Sequence, residues 1–431
     1  MSAHGKISFW TAVLMSINII VGSGIFFGPQ LMAKAAGSFS FLVWPMLGLL
    51  VFPVIWSVVQ ASRLFQGDGG FYTYCASGIN PFFGFLAQWL YLVGYIGTAS
   101  VITTVLRDNI INQFGFTLAA QYPYIFNAVV IAFFLGLNLM SIELISKVQG
   151  LFTLIKMLPL FLVALVFWGY WDSSITYHAG DIYNLSITFP AAFFAFFGFE
   201  ACCSLGQYLS GGPRQVGSVI LAAFFTVVSL YTLFHFGLIH IMGVDNLTQA
   251  GAIAFPEFMG LSPKMTALLG AGITGSILLS FSNTIFGVLL TTITNVFTLA
   301  KKKIIIGTEV LSKTNAFDRP TTVAVIQGII LWLLLFFVSS FSVLLALTNL
   351  GICSTYLLTV VAVFLTTLKK GDYKNAAVAL LGLGSCGLLV YYSWISMGPD
   401  TAERLFTSIP LLLGILAGLL LYTGWRKKAA R

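Results

Sequence analysis

The first long apolar segment, from about Phe9 to Ala36, is interrupted by a glycine-rich stretch. The segment is long enough to cross a bilayer as a helix. The stretch Val21–Pro29 nevertheless places three glycines and a proline in its middle and second half. Backbone N–H and C=O groups freed by a break at membrane depth must face protein, water or a ligand. From the break alone, a binding site and close helix packing on small residues are equally good interpretations.

The composition is that of a polytopic membrane protein. Of the 431 residues, 58% are hydrophobic and 8% are charged, whereas soluble domains carry about 25% charged residues. The net charge of +8 does not indicate a nucleic-acid partner, because the lysines and arginines are scattered through short connections. The five cysteines lack metal-ligand spacing, so the sequence supports neither a metal site nor a cofactor.

Twelve apolar stretches have the length of a transmembrane helix. They lie at about 8–36, 39–62, 81–106, 122–141, 148–170, 184–209, 216–243, 265–298, 321–341, 343–367, 375–397 and 404–425. The connection Gln66–Tyr72 is predicted to be a flexible loop. No connection is long enough for a soluble domain, so residues 1–431 are expected to form a single transmembrane domain.

The distribution of basic residues predicts the orientation. With both termini inside, sixteen lysines and arginines fall on the inner side, three on the outer side and two within spans. The outer three are Arg107, Lys264 and Arg404, and the two within spans are Lys34 and Lys156. Because inner loops carry the positive excess, both termini are predicted to be cytoplasmic, in a multi-pass protein of the cytoplasmic (inner) membrane.

A second interruption, around Gly198, falls in the sixth span beside Glu200, the one acid placed deep within a span. An intramembrane acid is a functional residue by default, although a neutral glutamate bonded to a neighbouring helix is the alternative. Breaks in the first and sixth spans occupy corresponding positions of two five-helix halves, which is typical of inverted-repeat transporters. Exposed N–H groups suit a carboxylate and exposed carbonyls an ammonium, so a zwitterionic amino acid is a natural ligand.

Five stretches resemble motifs of the amino acid–polyamine–organocation transporter superfamily, and the resemblance covers essentially the whole chain. These stretches are Ile19–Phe26 with Pro29 (G-S-G-I-F and a proline in helix one), Gly69–Tyr72 (G-G-x-Y before helix three), Val148–Lys156 (V-Q-x-x-x-T-x-x-K in helix five), Phe196–Glu200 (G-x-E in helix six) and Pro213-Arg214 (P-[KR] in the next loop).

The resemblance implies an all-α, LeuT-like 5+5 inverted-repeat fold that works by alternating access. The repeats would lie at about 8–170 and 184–367, followed by two additional C-terminal helices at about 375–425. The implied activity is secondary active transport of amino acids or related amines, by proton-coupled symport or exchange. The implied substrate-binding residues are Gly22, Ser23, Gly24, Ile25, Phe194, Phe197 and Gly198. The glycines and Ser23 would present N–H groups to the α-carboxylate, Gly198 and its neighbours would receive the ammonium, and Phe194 would be an aromatic gate.

The same resemblance assigns gating or coupling to Glu200 and Lys156. Relatives with a lysine at this place in helix five put its ammonium where sodium-coupled members of the wider fold hold a cation, which implies sodium-independent transport. A lysine that reaches the cytoplasmic interface through its long stem is the alternative for Lys156. The sequence departs from many relatives at Gly206-Gln207 and at Thr294-Asn295, which leaves the inner gate and the substrate range open.

Among substrates, neutral amino acids are favoured because no second intramembrane acid is evident to pair with a cationic side chain. A polyamine or cationic amino acid antiporter stays open as an alternative. A membrane-embedded enzyme is disfavoured because the four histidines are scattered, and a nucleotide-driven pump because no phosphate-binding loop occurs. The expected partners are a small amino acid or amine, protons and the lipid bilayer, with no nucleic acid.

Overall fold

The structure is a computed structural model that describes residues 8–65, 70–170, 175–200 and 215–429. These residues form helices and connections, with no strand among them. The α-helices in chain order are α1 Phe9–Ile20, α2 Gly24–Ala36, α3 Val43–Leu64, α4 Phe71–Gly78, α5 Pro81–Phe114, α6 Thr117–Gln121, α7 Pro123–Asn138, α8 Ile142–Lys156, α9 Leu158–Val166, α10 Phe189–Ala195, α11 Val216–Met242, α12 Val244–Ala250, α13 Pro263–Lys301, α14 Thr308–Leu311, α15 Thr321–Phe337, α16 Phe341–Lys369, α17 Tyr373–Ile395, α18 Thr401–Thr407 and α19 Ile409–Ala429.

The helices identify a multi-pass membrane protein. Within the described residues, seven helical segments are long and apolar enough to cross a bilayer, and the bent pair Thr401–Thr407 and Ile409–Thr423 would make eight. Three shorter apolar helices, of 10–17 residues, accompany them. A span count of twelve and the inverted repeat both stay predictions.

The contacts divide the chain into two compact units, each of which is described by itself. The first unit contains Met1–Gln66, Thr153–Ser280 and Thr359–Tyr392, and the second contains Gly67–Phe152, Phe281–Leu358 and Ser393–Arg431.

In the first unit, a buried histidine joins α3 to α11. Trp44 Nε1 donates to His235 Nδ1 at 3.1 Å, and His235 Nε2 lies 3.1 Å from Ser40 Oγ. Because Nδ1 accepts, a neutral His235 carries its proton on Nε2 and donates it to Ser40. These bonds satisfy polar groups that are fully buried, and they fix α11 against the start of α3.

In the second unit, the start of the long helix α5 follows from its sequence. Asn80 Oδ1 accepts from the backbone N–H groups of Phe82 and Phe83 at 3.0 and 3.2 Å, and Pro81 occupies the first turn. An asparagine cap followed by proline is a strong helix start. The short helix α4 precedes it and begins at Phe71, inside the segment predicted to be a loop, so that prediction is wrong at its end.

Glycines let α5 approach α16 closely. A Cβ atom on Gly97 would lie 2.6 Å from Thr348 Oγ1, and one on Gly94 would lie 2.7 Å from Ile352 Cγ1. Since larger side chains would push the helices apart, this contact is an example of small-residue packing within a membrane bundle. Small-residue packing is also the alternative explanation for the first-span glycines.

The predicted orientation can be tested with two exposed positions. We expect Lys313→Cys to react with a membrane-impermeant thiol reagent only from the inner side, and His178→Cys only from the outer side. Both positions are exposed in the structure, so reagent access is limited by the membrane alone. The measurement is labelling of sealed cells and inverted vesicles, in a background without the five native cysteines. The reverse pattern at either position would contradict cytoplasmic termini.

Candidate functional site

The first helix is broken at the predicted place, within the first unit. α1 ends at Ile20 and α2 begins at Gly24, with three residues between them. The break interrupts the regular backbone hydrogen bonding of a helix, although Val21 N still donates to Ile17 O at 2.8 Å and Phe26 N to Ser23 O at 3.0 Å. Pro29, inside α2, has no N–H to donate, which also frees the carbonyl of Ile25. The break thus presents donors and acceptors at one point of the chain.

Ser23 adds a side-chain group at this break. Its side chain is 1% exposed, and its Oγ has no hydrogen-bond partner among the described residues. The hydroxyl does not cap α2. A buried hydroxyl that meets no protein partner is costly unless a ligand or water bonds to it.

The second interruption follows α10, which ends at Ala195. Phe196 N donates to Phe193 O at 3.0 Å, so the chain tightens into a 3₁₀-type turn. Gly198 then adopts a φ of 108°, a conformation that favours glycine. The helix therefore ends before Gly198, as predicted, whereas residues 201–214, with Gly206-Gln207 and Pro213-Arg214, lie outside the described residues.

Glu200 folds back onto this turn. Gly198 N donates to Glu200 Oε2 at 3.1 Å, and the Glu200 side chain is 7% exposed. The carboxyl group thus bonds to a backbone amide that the break has released, an arrangement that stabilises a charged oxygen at this position. This contact ties the intramembrane acid to the second break and leaves its predicted coupling role a prediction.

The two breaks lie against each other. A Cβ atom on Gly24 would be 2.7 Å from Ala195 Cβ and 2.8 Å from Ala195 Cα, so α2 starts in direct contact with the end of α10. Farther along α2, the Phe27 and Phe194 rings pack with their centroids 5.5 Å apart. The Phe194 and Phe197 rings are 5.7 Å apart. The start of α2 and the end of α10 are therefore neighbours, with Gly24 and Phe194 of the predicted residues at their contacts.

Tyr231 of α11 joins the two broken helices, and the sequence analysis missed it. Its hydroxyl lies 3.2 Å from the carbonyl oxygen of Ile20 and 3.2 Å from that of Ala195, which are the last residues of α1 and α10. The side chain is fully buried. Its ring packs against Trp44 at 5.0 Å, which connects it to the histidine network of α3 and α11. One hydroxyl therefore serves the carbonyl ends of both helices.

The N-terminal half of α13 approaches both Lys156 and the first break. Ser276 Oγ donates to Ile155 O at 2.5 Å, and Ser280 Oγ donates to Gly22 O at 3.4 Å. The two serines are four residues apart and so lie on one face of the helix. Lys156 ends α8 and is 3% exposed, which disfavours a side chain that snorkels to the surface. One face of α13 therefore bonds to the backbone next to Lys156 and to the backbone of the first break.

The apolar helical fold defines a membrane protein, and comparisons with known proteins identify its family. A family model described as amino acid permease matches residues 7–416. The chain therefore belongs to the amino acid permease family, and its predicted membership of the amino acid–polyamine–organocation superfamily is confirmed. This membership supports amino acid transport as the activity and indicates a transporter, not an enzyme.

Relatives include proteins described as transporters. The chain is 23% identical to the serine/threonine exchanger SteT of Bacillus subtilis (strain 168), over 99% of this chain and 98% of the relative. It is 25% identical to an uncharacterized transporter of Mycobacterium tuberculosis (strain H37Rv), over 57% of this chain and 55% of the relative. An uncharacterized transporter of Mycobacterium bovis matches to the same extent.

The contact between the breaks predicts that Gly24→Ala is damaging. The added methyl group would meet the Ala195 backbone, and forcing such an approach costs about 1–3 kcal/mol. We expect lower thermal stability in detergent and reduced amino acid uptake. Gly272→Ala is the matched control, because nothing lies within 4 Å of a Cβ atom there. A Gly24→Ala protein as stable and active as Gly272→Ala would show that the close contact is absent.

Tyr231→Phe should uncouple the two broken helices without removing the ring. Two buried carbonyls would lose the one hydroxyl proton that they share, at a cost of about 1–3 kcal/mol. We expect a monodisperse protein with a lower melting temperature. We also expect a loss of uptake that is larger than the lower stability alone would cause. Tyr391→Phe, at an exposed position, is the control for loss of a tyrosine hydroxyl. Uptake equal to that control would mean that the hydroxyl has no part in the site.

Proposed function

We propose that the chain is a secondary active transporter that moves amino acids across the cytoplasmic membrane by alternating access, without sodium. The observation that carries this proposal is the contact between two interrupted helices, in which Gly24 meets Ala195. Interrupted helices that meet within an apolar bundle provide backbone donors and acceptors for a small polar ligand. Membership of the amino acid permease family supports the same interpretation.

The proposed substrate orientation follows from the groups at the two breaks. The N–H groups of Gly24 and Ile25 at the start of α2 and the Ser23 hydroxyl would bind the α-carboxylate, because a helix N-terminus favours negative charge. Carbonyl oxygens near Gly198 would accept from the α-ammonium. Phe194, which packs on Phe27 and Phe197, would cover the bound molecule. Each of these assignments uses groups that are buried in the structure.

The favoured mode is exchange of small neutral amino acids. The similarity to a protein described as a serine/threonine exchanger supports this choice. The alternative is an antiporter of polyamines or cationic amino acids, for which Glu200 would have to receive a cationic group. This alternative is weaker because Glu200 is the one acid placed deep within a span, so no second acid is evident to pair with a cationic side chain.

The proposal is tested by counterflow in proteoliposomes. The purified chain is reconstituted in sodium-free buffer, and uptake of radiolabelled L-threonine is measured with L-serine, L-arginine, putrescine or no substrate inside. We expect internal L-serine to accelerate uptake above that of empty vesicles. Acceleration by putrescine or L-arginine alone would favour the alternative, a strict sodium requirement would contradict sodium independence, and no saturable uptake of any of these probes would refute the proposed function.

A pH gradient imposed on the same vesicles separates exchange from proton-coupled symport. Exchange requires internal substrate, whereas proton symport requires an inward proton gradient and proceeds into empty vesicles. We expect internal substrate to have the larger effect. Accumulation into empty vesicles that depends on the gradient would assign proton symport instead.

Lys156 is proposed to replace a coupling cation beside the first break. Its burial and the shared face of α13 support this role. We therefore expect Lys156→Ala to lose most uptake while keeping the wild-type size-exclusion profile. The control is Lys147→Ala, an exposed lysine on the same helix. Full activity in a well-folded Lys156→Ala protein would show that this lysine has no role in coupling.

For Glu200 the informative substitution is Glu200→Gln. The glutamine carbonyl can still accept from Gly198 N, so the turn is retained while the titratable group is removed. We expect the pH dependence of uptake to flatten while the KM for substrate changes little. The measurement is uptake between about pH 5 and 8, with Glu403→Gln as a control at an exposed acid. An unchanged pH profile would leave Glu200 with a purely structural function.

A further inference from the structure

A half-open cavity of about 430 Å³ lies within the second unit, and none of the proposed transport-site residues lines it. It forms where α5 ends, α7 begins and α15 ends. Its volume falls in the range of about 300–1,000 Å³ that is usual for small-molecule sites. The predicted topology puts this end of the three helices on the outer side of the membrane.

One wall of the cavity carries a charged pair. Arg107 Nε donates to Asp108 Oδ1 at 3.0 Å, and Arg107 Nη2 lies 3.0 Å from the same oxygen. The described contacts of the pair thus converge on a single carboxylate oxygen. The guanidinium keeps further N–H groups that can bind an oxyanion, and Asp108 Oδ2 can accept from a cation.

Asn127 provides a buried hydrogen-bond acceptor in the cavity that has no donor among the described residues. Its side chain is 2% exposed, and its Oδ1 has no hydrogen-bond partner in the described part of the chain. Thr104 also lines the cavity; its hydroxyl donates to Ser100 O at 3.1 Å, so its oxygen remains able to accept. A buried carbonyl oxygen without a donor is costly, which indicates that Asn127 bonds to something that enters the cavity.

The rim of the cavity has the character of a membrane interface. Tyr124 and Phe336 line it and are 42% and 53% exposed. Trp332 Nε1 donates to Tyr124 O at 3.0 Å, which places a third aromatic side chain beside them. Aromatic side chains concentrate where the bilayer meets water, so this rim suits a cavity that opens at the depth of lipid headgroups.

We propose that this cavity is a second binding site, separate from the transport site, for a zwitterion with a primary ammonium and an oxyanion. The oxyanion bonds to the Arg107 guanidinium. The ammonium, which has three donors, bonds to Asn127 Oδ1, Thr104 Oγ1 and the free side of the Asp108 carboxylate. Two sources supply this chemistry: a free amino acid, and the headgroup of an aminophospholipid at the outer surface.

The two sources are distinguished with two probes on the delipidated full-length chain in detergent. Binding of phosphatidylethanolamine is measured by native mass spectrometry, with phosphatidylglycerol for comparison. Binding of L-threonine is measured by equilibrium dialysis, in which this cavity would add a second site to the transport site. We expect binding of at least one probe to weaken about tenfold or more in Arg107→Gln and in Asn127→Leu, because each loses charge-assisted hydrogen bonds.

Lys264→Gln is the matched control, since it removes an exposed basic residue that is also predicted to be outside. Its binding should equal that of the wild type. If Arg107→Gln is not monodisperse, Thr104→Val, which keeps the side-chain shape, replaces it, with an expected loss of several-fold. The proposal is overturned if neither probe binds to the cavity, if the variants bind as the control does, or if phosphatidylglycerol binds as tightly as phosphatidylethanolamine with no L-threonine site present.

Discussion

The hydrogen bonds of the Tyr231 hydroxyl are the interaction on which the proposed site depends. Broken helices in an apolar bundle leave carbonyl groups at their ends, and lipid offers no donor to them. Tyr231 serves the final carbonyls of α1 and α10 with one hydroxyl, 3.2 Å from each. Because both ends share this group, a movement of either broken helix must change the hydrogen bonding of the other. In the proposed alternating-access mechanism, this shared hydroxyl would couple the two helix ends.

The location of the first break could be predicted from local sequence, because glycine and proline act on the backbone where they stand. The prediction was less accurate about its extent. Helix geometry returns at Gly24 and continues through Gly28 and Pro29, so the break itself covers three residues. Neighbouring groups within the bundle accommodate a proline inside a helix, which the sequence pattern alone does not reveal.

The partners of the breaks could not be predicted in the same way. Tyr231 is more than two hundred residues from Ile20, and Ser280 is farther still from Gly22. Their hydroxyl groups lie in apolar spans, which signals that each needs a hydrogen-bond partner but does not say which one. The orphan oxygen of Asn127 is a similar case, since it is visible only when α5, α7 and α15 are placed together. The family resemblance predicted roles for the motif positions and could predict none of these contacts.

The bond between Glu200 and Gly198 makes the two breaks chemically unequal. A carboxyl group of the protein already accepts a hydrogen bond from the backbone amide of Gly198. At the first break, in contrast, the Ser23 hydroxyl has no hydrogen-bond partner in the described part of the chain. A substrate carboxylate would have to displace Glu200 at Gly198 but nothing at Ser23, which gives a zwitterion in the proposed site one favoured direction.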